Sequence, residues 1–190
     1  IAPGEAVQVL PSGQEAVVEA IVLFDQSLPL ALPKQSVTLT LDRQIDVSRG
    51  DVIVAKGAPC EVSDQFDTSL VWMDQDAGYV GRGYSLMLGG RIISATLTEI
   101  KYKVNVNTLE QLPSRSLALN DIGRVTLSLD EPIPFTAHAD CRDLGSFILI
   151  DRYSKATVDA GMINFGLRRA QNLYPTQTTI DTASRAKLMG

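Results

Sequence analysis

Short segments rich in Val, Ile, Leu and Thr make up most of this chain, and Gly, Pro, Asp and Ser separate them. In the segment 36–41, for example, Val37, Leu39 and Leu41 alternate with two threonines. Alternation with a period of two places the apolar side chains on one face of a β-strand and the polar side chains on the other. Many short strands bounded by turn residues predict an all-β fold built from small antiparallel β-barrels.

The predicted strands are spread over the first 165 residues. They cover residues 6–10, 16–24, 36–41, 51–55, 65–73, 84–88, 92–104, 122–129, 147–151 and 157–165. Pro11 and Gly13 suit a tight turn, so the first two strands are predicted to form a hairpin. The end of the chain differs, because Asp181 suits a helix N-cap and good helix formers follow it, which predicts a short helix over 181–189.

Two breaks interrupt the strand pattern: a Gly, Ala and Pro run at 57–59, and a run of Asp, Gln, Ala and Gly at 74–78. A domain boundary is predicted at the second of these breaks. The prediction is one barrel over residues 1–76, a second barrel over 77–165, and a linker over 166–190 that contains the short helix. A chain of this size buries roughly 70% of its unfolded surface, enough for one sizeable core or two small ones.

The balance of charge and hydrophobicity excludes several classes of protein. The 190 residues include 17 Lys and Arg against 22 Asp and Glu, a net charge of −5, and 45% are hydrophobic. Disordered and fibrous proteins are excluded by this hydrophobic share. The negative charge disfavours extended binding to nucleic acid, which depends on clustered cations. No apolar run approaches the roughly 20 residues that span a bilayer, and the first residues are not those of a signal peptide, so a soluble, cytoplasmic protein is expected.

Residues that could carry chemistry are few. His138, Asp140 and Cys141 share one loop, and such a set could supply metal ligands or a thiol with its base. A structural zinc site needs about four ligands, and the second cysteine, Cys60, is predicted to lie in the other barrel, so an ordinary loop is the preferred interpretation. The two cysteines form no paired motif, and two idle thiols are expected rather than a disulfide.

Other motifs are also interpreted as structural. The glycines between Gly78 and Gly90 flank a strand and are followed by no Lys, so they form no phosphate-binding loop. The basic stretch 101–103, with Arg168 and Arg169, is predicted to be a solvated strand edge rather than an RNA contact. Trp72 and the following Met could anchor an interface or belong to the core. The sequence therefore predicts no catalytic, cofactor-binding or metal-ligating residue in this chain.

Several strings carry a resemblance to a known family. Residues 35–41 and 45–53 resemble the stretch in the second, barrel domain of translation-factor GTPases where a strand, an Ile, an Arg-Gly pair and another strand follow in order. A closer resemblance, over nearly the whole chain, is to the large GTPase subunit of bacterial sulfate adenylyltransferase, carried by residues 70–74, 101–110, 119–123, 145–152 and 160–163. Residues 165–172 and 185–190 are similar to the junction in bifunctional members, where this subunit is fused to an adenylylsulfate kinase. The chain departs from the family pattern at Cys141 and Leu144, where Asn and Thr are expected, which argues further against a metal site in this loop.

The resemblance implies two barrels of the translation-factor domain 2 and domain 3 type, with the first strand of the first barrel missing. It implies a parent that forms adenosine 5′-phosphosulfate from ATP and sulfate, coupled to GTP hydrolysis, with a separate small subunit transferring the adenylyl group and the fused kinase phosphorylating the product. GTP, ATP and Mg²⁺ would be bound by the parent outside this chain, for which no cofactor is expected.

The expected role is therefore non-catalytic. The barrels would position the parent's own GTPase domain, adjoin the fused kinase domain and contact the small adenylyltransferase subunit, with no membrane or nucleic-acid partner. A free sheet edge left by a missing strand would favour a homo-oligomer. Two alternatives remain open at this point: a translation-factor-type barrel pair that binds tRNA or the ribosome, and a stand-alone scaffold.

Overall fold

The computed structural model describes residues 1–58 and 60–167, and in this range the protein is almost entirely β-structure. The elements form two units. The first unit contains β1 (Ala6–Leu10), β2 (Gln14–Leu23), β3 (Gln26–Leu28), β4 (Thr38–Leu41) and β5 (Val52–Ala55). The second contains β6 (Glu61–Trp72), β7 (Gly78–Tyr79), β8 (Gly83–Leu88), β9 (Arg91–Val104), β10 (Gln111–Leu112), β11 (Ser116–Leu117), β12 (Ile122–Phe135), α1 (Arg142–Gly145), β13 (Ser146–Ile150) and β14 (Thr157–Gly166).

The first unit is an open, half-barrel sheet. Its antiparallel strands follow the order β3-β2-β1-β5, and β4 pairs with β2. The predicted hairpin between the first two strands is confirmed, with Val7 opposite Ala16. A small core of Val7, Ala16, Val18 and Ile21 lies on its concave side. The sequence predicted a barrel here, but within the described residues β4 and β5 each pair with one neighbour only, so this sheet does not close.

The second unit is a closed antiparallel barrel of six strands. The order β9-β12-β6-β14-β13-β8 returns to its start because β8 also pairs with β9 across the Gly89–Gly90 turn. Closure leaves none of these six strands as a free edge. The short β7 and β11 pair with each other, and β10 extends the sheet beside β9. The predicted all-β class is thus confirmed, with one closed barrel and one half-barrel.

Alternating side chains from these strands fill the barrel. The interior includes Phe66, Trp72, Tyr84, Leu97 and Leu127, each almost fully buried. Their packing is tight enough to require a glycine at position 161. A Cβ there would lie 2.1 Å from Cζ of Phe147, inside any allowed carbon contact.

The predicted domain boundary at residue 76 disagrees with the strand pairing. β6 pairs with β12 on one side and β14 on the other, so this strand belongs to the second barrel. The connection between the units is the short stretch 56–60, and the polar run after β6 is a loop inside the second unit. Periodicity identifies a strand but not its partners, which lie about 60 and 90 residues away in sequence. The described residues end at 167, so residues 168–190 of the predicted linker, with the predicted helix at 181–189, lie outside them.

Candidate functional site

The junction between the two units is built around Gly50. The turn before β5 is closed by two hydrogen bonds, from the Asp51 N–H to the Ser48 carbonyl at 3.0 Å and from the Ser48 N–H to Asp51 Oδ2 at 2.8 Å. This turn gives Gly50 a φ of +94°, which other residues adopt only with strain. The turn also presses Gly50 against the second unit, where an added Cβ would lie 3.0 Å from Cγ of Arg91.

Arg91, the first residue of β9, reaches carboxylates of both units. One guanidinium nitrogen lies 3.8 Å from Asp51 Oδ1 in the half-barrel, and the other lies 4.0 Å from Glu131 Oε2 in the barrel. Both distances exceed those of hydrogen bonds, and the nitrogen nearer Asp51 is buried without a hydrogen-bond partner. The ion pairs are therefore weak, and the packing of the Arg91 stem on Gly50 is the tighter part of the junction.

A cavity of about 300 Å³ adjoins Arg91 at this junction. Val52 contributes to its wall from the half-barrel, and Leu88, Ile93 and Ile133 from the barrel. The volume is at the lower end of small-molecule pockets, which often lie between domains or at the mouths of barrels. The junction is thus incompletely filled, which leaves room for small changes in how the two units pack.

A second polar cluster lies on the outer face of the barrel, centred on Asp67 of β6. Its carboxylate accepts hydrogen bonds from Lys101 Nζ at 2.7 Å, Arg124 Nε at 2.8 Å and Asn164 Nδ2 at 2.8 Å. These three side chains come from β9, β12 and β14 and leave Asp67 only 1% exposed. Burial, the largest single effect, would raise the pKa of Asp67, but the hydrogen bonds and the two positive charges outweigh it and lower the pKa. The cluster ties four adjacent strands together.

The end of the barrel near β8 holds a third cluster, around Asp151. Its carboxylate accepts bonds from the N–H groups of Ser154 and Tyr153 at 2.8 and 2.9 Å and from Arg82 at 2.9 Å. The backbone bonds from Ser154 and Tyr153 are the main causes that lower the pKa of Asp151 to about 2. The Arg82 guanidinium also lies over the ring of Tyr84. The bonds from Ser154 and Tyr153 stabilise the turn that follows β13, so this cluster has a structural role.

Asp159 is the least satisfied group in the described part of the chain. It lies inside the barrel on β14, fully buried, and neither carboxylate oxygen has a hydrogen-bond partner. The hydroxyl of Tyr84, also buried, lacks a partner as well. Burial raises the pKa of Asp159 well above its usual value and that of Tyr84 to about 12. Burial therefore favours the neutral form of both groups.

The candidate chemistry around His138 has an ordinary structural explanation. His138 Nδ1 lies 3.0 Å from Ser146 Oγ, and its backbone N–H donates to the Ile163 carbonyl. Within residues 1–58 and 60–167, no three His, Cys, Asp or Glu side chains come together as a metal site. The structure does, however, bring Cys60 beside the loop of Cys141, where the sequence predicted separate barrels. No pattern in the sequence signalled this proximity.

The other singled-out residues lie where strands and turns require them. Gly78 begins β7, and Gly89 and Gly90 form the turn between β8 and β9, so these glycines surround no phosphate-binding loop. Trp72 is 1% exposed and belongs to the core, whereas Met73 is 43% exposed.

The basic stretch 101–103 was predicted to be a solvated strand edge; Lys101 is exposed and Lys103 partly exposed, and both also form ion pairs. Lys101 binds Asp67, and Lys103 Nζ lies 3.2 Å from Asp121 Oδ2. Both lysines are thereby paired with acids of neighbouring elements. Arg168 and Arg169, which the sequence grouped with them, lie outside the described residues.

These observations define a class of protein before any comparison. A closed six-stranded barrel beside a half-barrel is the all-β architecture of the translation-factor type that the sequence resemblance predicted. Residues 65–164, from within β6 to within β14, match the family model described as GTP-eEF1A C-terminal domain-like. The chain belongs to this family.

Similarity to particular proteins extends over nearly the whole chain and confirms the resemblance seen in the sequence. The chain is 46% identical, over 98% of its length, to the "Bifunctional enzyme CysN/CysC" of Xylella fastidiosa. It is 45% identical, over 97% of its length, to "Sulfate adenylyltransferase subunit 1" of Laribacter hongkongensis. The chain spans only 30% and 38% of these two relatives.

Solved structures give the same fold at low sequence identity. Sup35 complexed with GDP matches with a TM-score of 0.79 at 19% identity, over 88% of this chain and 42% of that one. At this identity the match concerns the fold alone. In the described part of the chain, no helix is long and apolar enough to span a bilayer.

Proposed function

We propose that this chain is the non-catalytic β-region of a sulfate-activating enzyme. The parent would form adenosine 5′-phosphosulfate from ATP and sulfate in the cytoplasm, coupled to GTP hydrolysis, and a fused kinase would phosphorylate the product. This region would position the parent's GTPase domain and contact the small adenylyltransferase subunit. GTP, ATP and Mg²⁺ would bind to the parent outside this chain.

The observation that carries this proposal is the packing of Gly50 on Arg91. This close contact between two otherwise separate cores constrains how the half-barrel and the barrel face each other, and so the surface that both would present to other domains. A change in the GTPase domain that shifts one unit would be transmitted to the other through this contact. The polar clusters at Asp67 and Asp151 both tie strands and turns of the barrel together, so the barrel is stiff enough to move as a body.

The alternative role in binding tRNA or the ribosome has less support. Lys101 and Lys103 are each paired with a carboxylate, which lowers the positive charge available to phosphates. The net charge of the whole chain is −5. Salt-sensitive binding of RNA by the purified chain would favour the alternative.

The experiment compares two glycine substitutions in the full-length parent, assembled with its small subunit. Gly50→Ala places a Cβ against Arg91, whereas Gly57→Ala has the same kind of positive φ, +87°, but nothing within 4 Å. We expect Gly50→Ala to slow product formation about tenfold or more, equivalent to roughly 1.4 kcal/mol. GTP hydrolysis by the large subunit alone should stay unchanged, and Gly57→Ala should leave both rates near those of the wild type.

Two outcomes would count against the proposal. Equal effects of both substitutions on product formation would mean that backbone strain, and not the junction, is responsible. Formation of adenosine 5′-phosphosulfate by the isolated chain, given GTP, ATP and sulfate, would show that it holds catalytic groups of its own.

A further inference from the structure

Cys60 and Cys141 lie 81 positions apart in sequence but form hydrogen bonds to three consecutive residues, Cys60 to Phe135 and Cys141 to Thr136 and Ala137. The Cys60 thiol donates a hydrogen bond to the Phe135 carbonyl at 3.5 Å. The Cys141 N–H donates to the Ala137 carbonyl at 3.1 Å, and the Cys141 carbonyl accepts a bond from Thr136 Oγ1 at 3.5 Å. The two cysteines thus hold residues 135–137 from two directions.

The strand register explains how Cys60 reaches this place. Glu61, the first residue of β6, pairs with Phe135, the last residue of β12. Cys60 therefore lies one position beyond the end of this ladder, and Thr136 lies one position beyond it on the partner strand. The loop 136–141 between β12 and α1 folds back on itself, and this brings Cys141 to the end of β12. The two cysteines reach the same end of β12 because of how the barrel strands pair, and no local sequence pattern predicts this.

Neither thiol has a role that would keep it reduced. Both cysteines are free and only partly buried. Cys141 is the N-cap residue of α1, and its side chain makes no capping hydrogen bond. Burial is the main cause that raises the pKa of the Cys60 thiol, and the nearby Cys141 adds to it.

We propose that Cys60 and Cys141 form a reversible intramolecular disulfide, a modification site that ties the connection between the two units to the loop after β12. The oxidant would be a peroxide. The Cys141 thiolate attacks one peroxide oxygen, which gives a sulfenic acid and releases the first water. The Cys60 sulfur then displaces the hydroxyl of the sulfenic acid, and the second water leaves. In total, two thiols and one hydrogen peroxide give one disulfide and two waters, and a dithiol reverses the reaction.

The order of attack follows from the surroundings of the two thiols. Burial raises the pKa of the Cys60 thiol and so disfavours the reactive thiolate, which assigns Cys60 the role of the resolving cysteine. The bond would restrict the stretch 56–60 that joins the units. It would thus limit how the half-barrel moves against the barrel, whatever the parent enzyme does.

The test uses the purified chain, treated with a small excess of hydrogen peroxide and then digested with trypsin. Cleavage at Lys and Arg places Cys60 in peptide 57–82 and Cys141 in peptide 125–142. We expect a mass lower by two hydrogen atoms in the intact chain, a cross-linked pair of these two peptides, and the loss of both free thiols. Dithiothreitol should restore the thiols and separate the peptides.

Cys60→Ser and Cys141→Ser serve as matched variants, with circular dichroism as a check that each folds. Cys60→Ser should accumulate a sulfenic acid on Cys141 that a dimedone probe captures, whereas Cys141→Ser should react more slowly and give less adduct. Wild-type chain that gains oxygen on either thiol without forming the linked peptides would overturn the proposal. Disulfides found only between two molecules would do so too.

Discussion

The side-chain stem of Arg91 packs directly on Gly50, and this contact joins two β-units that otherwise have separate cores. A glycine is required at position 50 for two independent reasons, the positive φ and the lack of space for a Cβ. The two reasons can be separated by experiment, because Gly57 shares the first and lacks the second.

We expect Gly50→Ala to lower the free energy of unfolding of the chain by about 1–3 kcal/mol, the sum of backbone strain and overpacking. Gly57→Ala should cost about 1 kcal/mol, from strain alone. In a double-mutant cycle, Arg91→Ala should recover part of the loss at position 50 and none at position 57. Urea denaturation measures the wild type, the three single variants and the two double variants, and purely additive effects of Gly50→Ala and Arg91→Ala would show that the contact carries no energy.

The buried carboxyl of Asp159 makes a prediction about pH. Its folded pKa is raised, so the native state holds a proton that the unfolded state releases above the usual carboxyl pKa of about 4. Stability should therefore fall as pH rises from about 4 toward the folded pKa, and Asp159→Asn should abolish this part of the dependence. Denaturation curves at a series of pH values on both proteins measure it. A wild-type protein that grows more stable, relative to Asp159→Asn, between pH 5 and 8 would contradict the assignment.

The cluster around Asp67 predicts the opposite pH dependence. Its folded pKa is lowered, so its contribution to stability is complete above the unfolded pKa of about 4 and is lost as pH falls through the folded pKa. Asp67→Asn should cost about 1–3 kcal/mol at neutral pH, since it leaves Lys101 and Arg124 without their buried partner. The control is Glu15→Gln, which breaks an exposed ion pair with Lys56 and should change stability by less than about 1 kcal/mol.

The barrel core predicts a strong effect at Gly161. A Cβ at this position would lie 2.1 Å from Cζ of Phe147, so Gly161→Ala should destabilise the barrel by about 3 kcal/mol or more. Phe147→Leu in the same chain should restore part of that loss by removing the ring. Gly90→Ala is the control, because its nearest neighbour would be at an ordinary 3.8 Å. Thermal unfolding followed by circular dichroism gives the comparison, and equal effects at the two glycines would contradict the packing described here.

The strands themselves were predictable because their signal is local. Alternating Val, Leu and Thr in the segment of β4, and the Gly89–Gly90 turn, mark a strand and a hairpin within a few residues. The family resemblance was equally readable, since it rests on strings of consecutive residues. The short β3, β7, β10 and β11 were missed because two or three residues carry no periodicity.

The candidate site was beyond the reach of the same reasoning. No motif in the sequence marks Asp67, which lies on a strand and whose hydrogen-bond partners come from three other strands. Such a cluster cannot be predicted from the sequence of one strand, because the order of strands around the barrel is not their order in the sequence. For the same reason β6 was assigned to the wrong unit.

The sequence by itself determined that this protein is all-β, acidic and related to sulfate adenylyltransferase subunit 1, because those properties depend on composition and on runs of adjacent residues. Only the tertiary structure decided where one unit ends and the next begins, that Gly50 meets Arg91, and that Cys60 and Cys141 both reach residues 135–137. Gly50 and Arg91 are 41 positions apart in sequence, and the two cysteines are 81 positions apart. Such meetings depend on which strands pair with which, and the periodicity of one strand does not identify its partners.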